Sequence, residues 1–343
     1  MPAIYKAFRS LSAAQRKEGR TLIKELEGLT AVSGCEDEVR EFIKASLAES
    51  GIEYKTDSIG NIKAAYGDKT EIIIAAHMDE AGFIITEITD DGYLKFAPIG
   101  KIKPSAVLSK QVKINGITGI VSFKAVHLTS KEEREKPVDI SKLYIDIGAK
   151  TKAEAEKYAE VGDLAAFVSG VKEFGTDYIS GKALDRAGCE TLTDILKAKR
   201  KGVCGIYTVL DKVACRGLKI AANNTTSAKA ALILGCAEAD EGIELGKGAV
   251  IEIYQNASAE ESAINNKIIK SAAEIQIKTC DKSSAAAAFK SVRADIPVIT
   301  LSVPCRNTNT DVCIVNKSDI KALFDAVNSA IDIIKEEDND RSF

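Results

Sequence analysis

The chain has 343 residues, with 47 Lys and Arg against 50 Asp and Glu and a formal charge of −3. That near-balance is spread along the whole chain and excludes the concentrated basic face that nucleic acid or an anionic membrane surface would require. No window is apolar for long enough to span a bilayer, and the N-terminal stretch lacks the apolar centre of a signal peptide, so a cytoplasmic location is expected.

Two segments, "SAAQRKEGRTLIKELEGL" (12–29) and "CEDEVREFIKASLAESG" (35–51), carry helical periodicity. In the second, Val39, Phe42, Ile43 and Leu47 share one face, and the acidic residues at its start read as a solvated turn matched to the helix dipole. Short strands follow at "NIKAAYG" and "EIIIAA"; the latter, apolar on both faces, suits the centre of a helix-covered sheet. From about 83 to 180 the texture changes to hairpins, with Asp-Gly in "FIITEITDDGYLKFA" and Asn-Gly in "QVKINGITGIVSFKAV". One short helix is expected in "KTKAEAEKYAEVGD". The helix–strand alternation then resumes through "VCGIYTV", "AALILGC", "AVIEIY", "EIQIKT" and "VITLSV" to a last helix from Ser318 to about Lys335, with "EEDNDRSF" as a solvated tail. The pattern predicts a discontinuous α/β domain with a central mixed sheet, residues 1–82 and 181–343, interrupted by a small β-barrel domain at 83–180.

Eight cysteines occur singly, with no C-x-x-C pair, and read as small buried hydrophobes in a reducing compartment. There are only two histidines. His127 lies in the hairpin-rich region and is expected to pack there. His77 ends the buried strand in "EIIIAAHMDE", followed by Asp79 and Glu80. Ligands of open α/β sheets gather beyond the carboxyl ends of the strands. That rule groups His77–Glu80, Leu210–Lys212, the segment from Gly235 to Asp240 and the segment from Cys305 to Asp311, with Asp185 entering where the inserted domain rejoins the main one.

At these residues the chain resembles the tetrahedral metalloaminopeptidases, the glutamyl or deblocking aminopeptidases often labelled cellulase M. The likeness rests on "AVSGCEDEVREFI", "DSIGNIKA", "AAHMDEAGF", "GITGIVSFKAVHL", "LYIDIGAKTKAEAE", "GKALDRAGC" and "TVLDKVACRGLKIAA" in that order, and it extends from about Leu22 to Ile334. It implies an aminopeptidase fold with two metal ions, usually zinc or cobalt, bridged by one carboxylate. A glutamate activates the water between them, and the family assembles into dodecameric shells.

Carried over residue by residue, the resemblance makes His77 a terminal metal ligand, Asp79 the carboxylate that orients it and Asp185 the bridging carboxylate. The Asp185 motif is one residue shorter than the usual pattern. Asp211 stands at the general-base position. Lys212, Gly235 and Asn309 stand where three further ligands are expected, and "DKSSAA" replaces a Gly-Gly-Thr-Asp segment of the substrate pocket. A catalytic zinc takes three protein ligands and one open position. An ammonium about 4 Å from a divalent ion is repelled by roughly 8 kcal/mol at an effective dielectric near 20.

The expectation is therefore no metal cofactor, or at most one divalent ion, in a catalytically inactive or impaired structural or regulatory paralogue. Such a chain would form a homo-oligomer, or co-assemble with an active paralogue. Two alternatives remain open at this point. One is a mononuclear aminopeptidase for short peptides using His77, Asp185 and Glu238 or Asp240, with Cys236 and Cys305 near the lost positions. The other is a module that binds a peptide or small molecule without cleaving it. Lys212 is expected to replace the missing cation through a salt bridge to Asp185.

Overall fold

The structure, a computed structural model, describes residues 22–67, 69–123, 139–225, 227–240, 242–280 and 285–340. His127 and residues 281–284 of "DKSSAA" lie outside the described residues.

Seventeen strands are described. In chain order they are β1 Tyr54–Thr56, β2 Ile62–Ala65, β3 Thr70–His77, β4 Gly82–Ile88, β5 Leu94–Ile99, β6 Gln111–Ile114, β7 Ile117–Ser122, β8 Tyr144–Asp146 and β9 Leu164–Phe167. They continue as β10 Lys172–Phe174, β11 Tyr178–Gly181, β12 Gly202–Thr208, β13 Ala230–Glu238, β14 Ala249–Tyr254, β15 Ile275–Cys280, β16 Val298–Arg306 and β17 Cys313–Asn316. Eleven form one mixed sheet in the order β1-β2-β12-β3-β13-β16-β17-β11-β10, with β14 beside β16 and β15 beside β14.

The four central strands, β12, β3, β13 and β16, are parallel, so their carboxyl ends open on one side. β3 shows why they occupy the centre. Ile72, Ile74 and Ala76 enter the core on one face, and Ile73 and Ala75 enter the core on the other. Period-two alternation buries both sets only if helices cover both faces. On the first face these are α1 Leu22–Glu27, α2 Asp37–Glu49, α4 Ala187–Lys197, α6 Ala259–Ser271 and α8 Lys317–Asp340; α5 Arg216–Asn223 and α7 Ala285–Lys290 cover the second. The remaining short helix, α3, is Lys152–Ala155. The terminal helix runs on to Asp340, through residues read from sequence as a solvated tail.

The inserted unit is a closed six-stranded antiparallel barrel, β4-β5-β8-β7-β6-β9. Its β6–β7 turn carries Asn115 and Gly116, both at positive φ as a tight two-residue hairpin requires. Phe83 centres its core, meeting Phe96 and Phe167 edge to face at 4.8 and 5.1 Å. After β9 the chain returns to the large sheet, where β11 pairs with β17 and β10 with β11. Residues 172–174 and 178–180, grouped with the barrel by their sequence texture, thus pair in the main sheet.

Candidate functional site

The carboxyl ends of the parallel strands line a cleft of about 440 Å³. His77, Asp185, Asp211, Lys212, Gly235 and Asn309 all border it, so the strand-end rule brings together residues far apart in the chain. In register, His77 lies opposite Thr208 of β12, while Ala76 lies beside Leu234 of β13, one residue before Gly235. β13 continues three residues past Gly235, which therefore sits within the strand and not at its end.

Asp185 is placed by a turn that Glu27 holds from below. The Glu27 carboxylate accepts hydrogen bonds from the backbone N–H groups of Lys182 (2.7 Å) and Ala183 (2.9 Å). A Cβ on Gly181 would lie 2.2 Å from Glu27 Oε2, so only glycine admits this approach. Arg186, fully buried, points away from the cleft. Its Nε donates to Met78 O at 2.8 Å, its Nη1 donates to Leu26 O, and its Nη2 stands 3.5 Å from Glu80. Glu80 also takes Lys182 Nζ at 2.8 Å, so this carboxylate is neutralised without drawing on Lys212.

Lys212 Nζ donates to Asp185 Oδ2 at 2.9 Å, the ion pair expected from the sequence. The two side chains are 15% and 22% exposed, so the pair is largely shielded from water. Burial opposes the Lys212 charge, yet Asp185, Asp211 and Asp79 together raise its pKa above the ordinary lysine value. Burial likewise pushes Asp185 up, and Lys212 with His77 outweighs it, leaving that carboxyl below its usual range.

His77 faces oxygen on both ring nitrogens: Nδ1 is 3.0 Å from the Asp79 carbonyl and Nε2 is 3.4 Å from Asp185 Oδ2. Burial and Lys212 lower its pKa, but Asp185, Asp211 and Asp79 prevail and shift it upward. The Asp79 carboxylate is 3.6 Å from Nδ1 and is engaged elsewhere, accepting from the Lys212 backbone N–H at 2.9 Å and from the Ser33 hydroxyl. The Asp79 main-chain oxygen thus lies nearer His77 Nδ1 than its carboxylate does. Burial would raise the Asp79 carboxyl, but His77, Lys212 and Ser33 hold it well below the usual carboxylate range.

Asp211 sits on a loop whose conformation departs from the common regions, with Leu210, Ala214 and Cys215 all at positive φ. Glu36 holds this loop, its Oε1 accepting from the N–H groups of Leu210 (3.0 Å) and Gly34 (2.8 Å). Glu36 is buried, which corrects its reading as part of a solvated helix start. Only its contacts after folding separate it from the exposed Asp37 and Glu38.

Glu238 and Asp240, the further members of the mononuclear set read from sequence, both have partners of their own. Glu238 accepts from the backbone N–H groups of Asn307 (3.1 Å) and Thr308 (3.0 Å) and from the Thr308 hydroxyl, which ties down the loop carrying Asn309. Asp240 pairs with Lys278 at 2.7 Å and is largely exposed.

The cysteines depart from their sequence reading as isolated hydrophobes. The sulfurs of Cys236, Cys305 and Cys313 all lie within 4.8 Å of one another. Hydrogen bonds from Cys236 and Cys305 lower the Cys313 pKa to about 6, while burial raises that of Cys305. Three positions separated by up to 77 residues gave no spacing signal, because strand register alone unites them.

Residues 59–325 match the family described as M42 glutamyl aminopeptidase. A protein of Acetivibrio thermocellus, named only provisionally as an aminopeptidase, is 39% identical over 207 residues, which cover 59% of this chain and 61% of that protein. Among solved structures, the TET aminopeptidase of a marine sediment thaumarchaeote superposes with a TM-score of 0.84 at 25% identity, covering 92% of this chain and 98% of that one. The Pyrococcus horikoshii TET1 peptidase, described as assembling into a tetrahedron or a large octahedral shell, gives 0.80 at 28% identity, with 90% and 97% covered.

Proposed function

We propose that this chain, which belongs to the M42 glutamyl aminopeptidase family, is a catalytically impaired or inactive member that keeps the peptidase scaffold and carries an internal cation where the family places metal. The Lys212–Asp185 ion pair is the observation that carries this reading. The residues present do not fit a pair of divalent ions. Lys212 offers only donors, Gly235 has no side chain, and Asn309 is neutral. His77 does not itself oppose an ion, since Nδ1 facing the Asp79 carbonyl leaves Nε2 for a ligand bond, so the misfit rests on the three replaced positions. Asp185, the one carboxylate placed to bridge, is already neutralised by the ammonium.

Without a Lewis acid, nothing in the cleft lowers the pKa of an attacking water, and Asp211 alone is a poor base for bulk water. Aminoacyl chromogenic substrates offered with zinc, cobalt or manganese test this directly. Little or no turnover is expected, and robust turnover abolished by Asp211→Asn would restore the enzyme reading.

A second reading, capture of a short peptide without cleavage, is favoured by the open volume of the cleft and by the lysines at 101, 182 and 212 that border it with Asp211, Glu238 and Glu252. Such mixed charge suits both termini of a peptide. Equilibrium dialysis with short peptides separates it from a purely structural role. Assembly into a homo-oligomer, alone or with an active paralogue, belongs to the same proposal. Among the described residues no helix is long and apolar enough to cross a membrane.

A further inference from the structure

We propose that Cys236, Cys305 and Cys313 form a binding site for a single thiophilic divalent ion, zinc, at the edge of the cleft and independent of the family's metal positions.

The sheet itself builds this site. In the parallel β13–β16 pair Cys236 lies opposite Val303, so Cys305, two residues further along, projects from the same face. In the antiparallel β16–β17 pair Cys305 lies opposite Val315, so Cys313, two residues away, again shares that face. Register alone thus places three thiols side by side, on backbone fixed by the centre of the sheet. All three are free thiols.

The spacing suits one ion. Zinc–thiolate bonds of about 2.3 Å at tetrahedral angles separate the sulfurs by about 3.8 Å, within reach of side-chain rotation from the present cluster. Three soft thiolates select zinc over magnesium or calcium. Cys236 and Cys313 border the cleft, whereas Cys305 is fully buried, so an ion held by all three would present its remaining position to the cleft. Uptake displaces the thiol protons, and the hydrogen bonds among the three sulfurs help to hold the first thiolate. Packing as three small hydrophobes is the competing account; it predicts no affinity for metal.

The test titrates the reduced full-length protein with cobalt(II) as a spectroscopic stand-in, then displaces it with zinc. One equivalent per chain is expected, with the intense thiolate-to-cobalt charge-transfer band of a tetrahedral sulfur site and protection of three thiols from alkylation. His77→Ala should leave that band intact. Cys313→Ser should weaken binding by more than the roughly 10–100-fold that loss of a merely supporting group costs. If the variant misfolds, the band and thiol protection of the unaltered chain decide by themselves. No cobalt uptake, or uptake without a thiolate band, overturns the site. Uptake without the band and sensitive to His77→Ala would in addition contradict the functional proposal, so the two readings fail separately.

Discussion

Lys212 Nζ and Asp185 Oδ2 are 2.9 Å apart, and His77 Nε2 approaches the same oxygen at 3.4 Å. One carboxylate oxygen therefore sits against both the ammonium and the imidazole. Asp79, Asp185 and Asp211 crowd the same strand ends, and uncompensated carboxylates there would repel one another. The ammonium relieves that repulsion from within the chain.

Replacing Lys212 with Met is expected to destabilise the protein by about 2–3 kcal/mol, below the range for fully buried pairs because both side chains retain some exposure. Urea denaturation of the single variant and of Lys212→Met with Asp185→Leu checks this. The double variant should recover most of the loss, since removing both charges leaves none unpaired. A single variant as stable as the parent would show that the pair contributes nothing.

On the proposed reading, placing donors at positions 212, 235 and 309 should create metal affinity. A Cβ at Gly235 would meet only Ser302 Oγ, at 3.8 Å, so Gly235→Asp has room. Asn309 has φ +59, and a histidine there costs roughly 1 kcal/mol of backbone strain. The triple variant Lys212→Glu, Gly235→Asp, Asn309→His is expected to bind zinc or cobalt in a manner abolished by His77→Ala, as read by calorimetry. Failure of the folded triple variant to gain any His77-dependent ion would mean that the strand ends no longer have the family geometry.

Glu190 makes stability depend on pH. Burial and the neighbouring Asp194 raise its pKa to about 7, and its Oε2 has no hydrogen-bond partner among the described residues. A carboxyl with a raised folded pKa contributes stability that is complete below its unfolded value of about 4.5 and is lost as the pH climbs through about 7. The loss amounts to at most about 3 kcal/mol. Glu190→Gln should flatten this slope between pH 5 and 8, measured as the denaturation midpoint. An unchanged slope would place the titration elsewhere.

The barrel leaves Ile120, Tyr158 and Val161 exposed. Apolar side chains kept at a surface are tolerated best when an interface covers them. Light scattering at micromolar concentration is expected to show a homo-oligomer larger than a dimer, and a monomer would contradict this.

Much of the architecture was legible from local pattern. "EIIIAA" is apolar at consecutive positions, which only a strand covered on both faces can satisfy, and that placed His77 at a strand end. Asp-Gly and Asn-Gly marked two barrel hairpins because their φ values are chemically demanding. The Lys212–Asp185 pair was legible from the family resemblance, which puts a lysine at a ligand position among crowded carboxylates. What stayed hidden depends on long-range contact. Glu36 and Asp37 are adjacent acids, yet only Glu36 meets the N–H of Leu210. Glu238 looked available to a metal until the loop at 307–308 folded over it. The Cys236–Cys305–Cys313 cluster needs the register of three strands, which no spacing in the chain encodes.

On the proposed function, the family's metal positions in this chain no longer hold a pair of ions. Metal content of chelator-free protein loaded with zinc or cobalt, compared between the parent chain and His77→Ala, tests it most directly. The same content is expected in both, with any single bound ion lost on Cys313→Ser instead. Two ions per chain in the parent, both lost on His77→Ala, would contradict it.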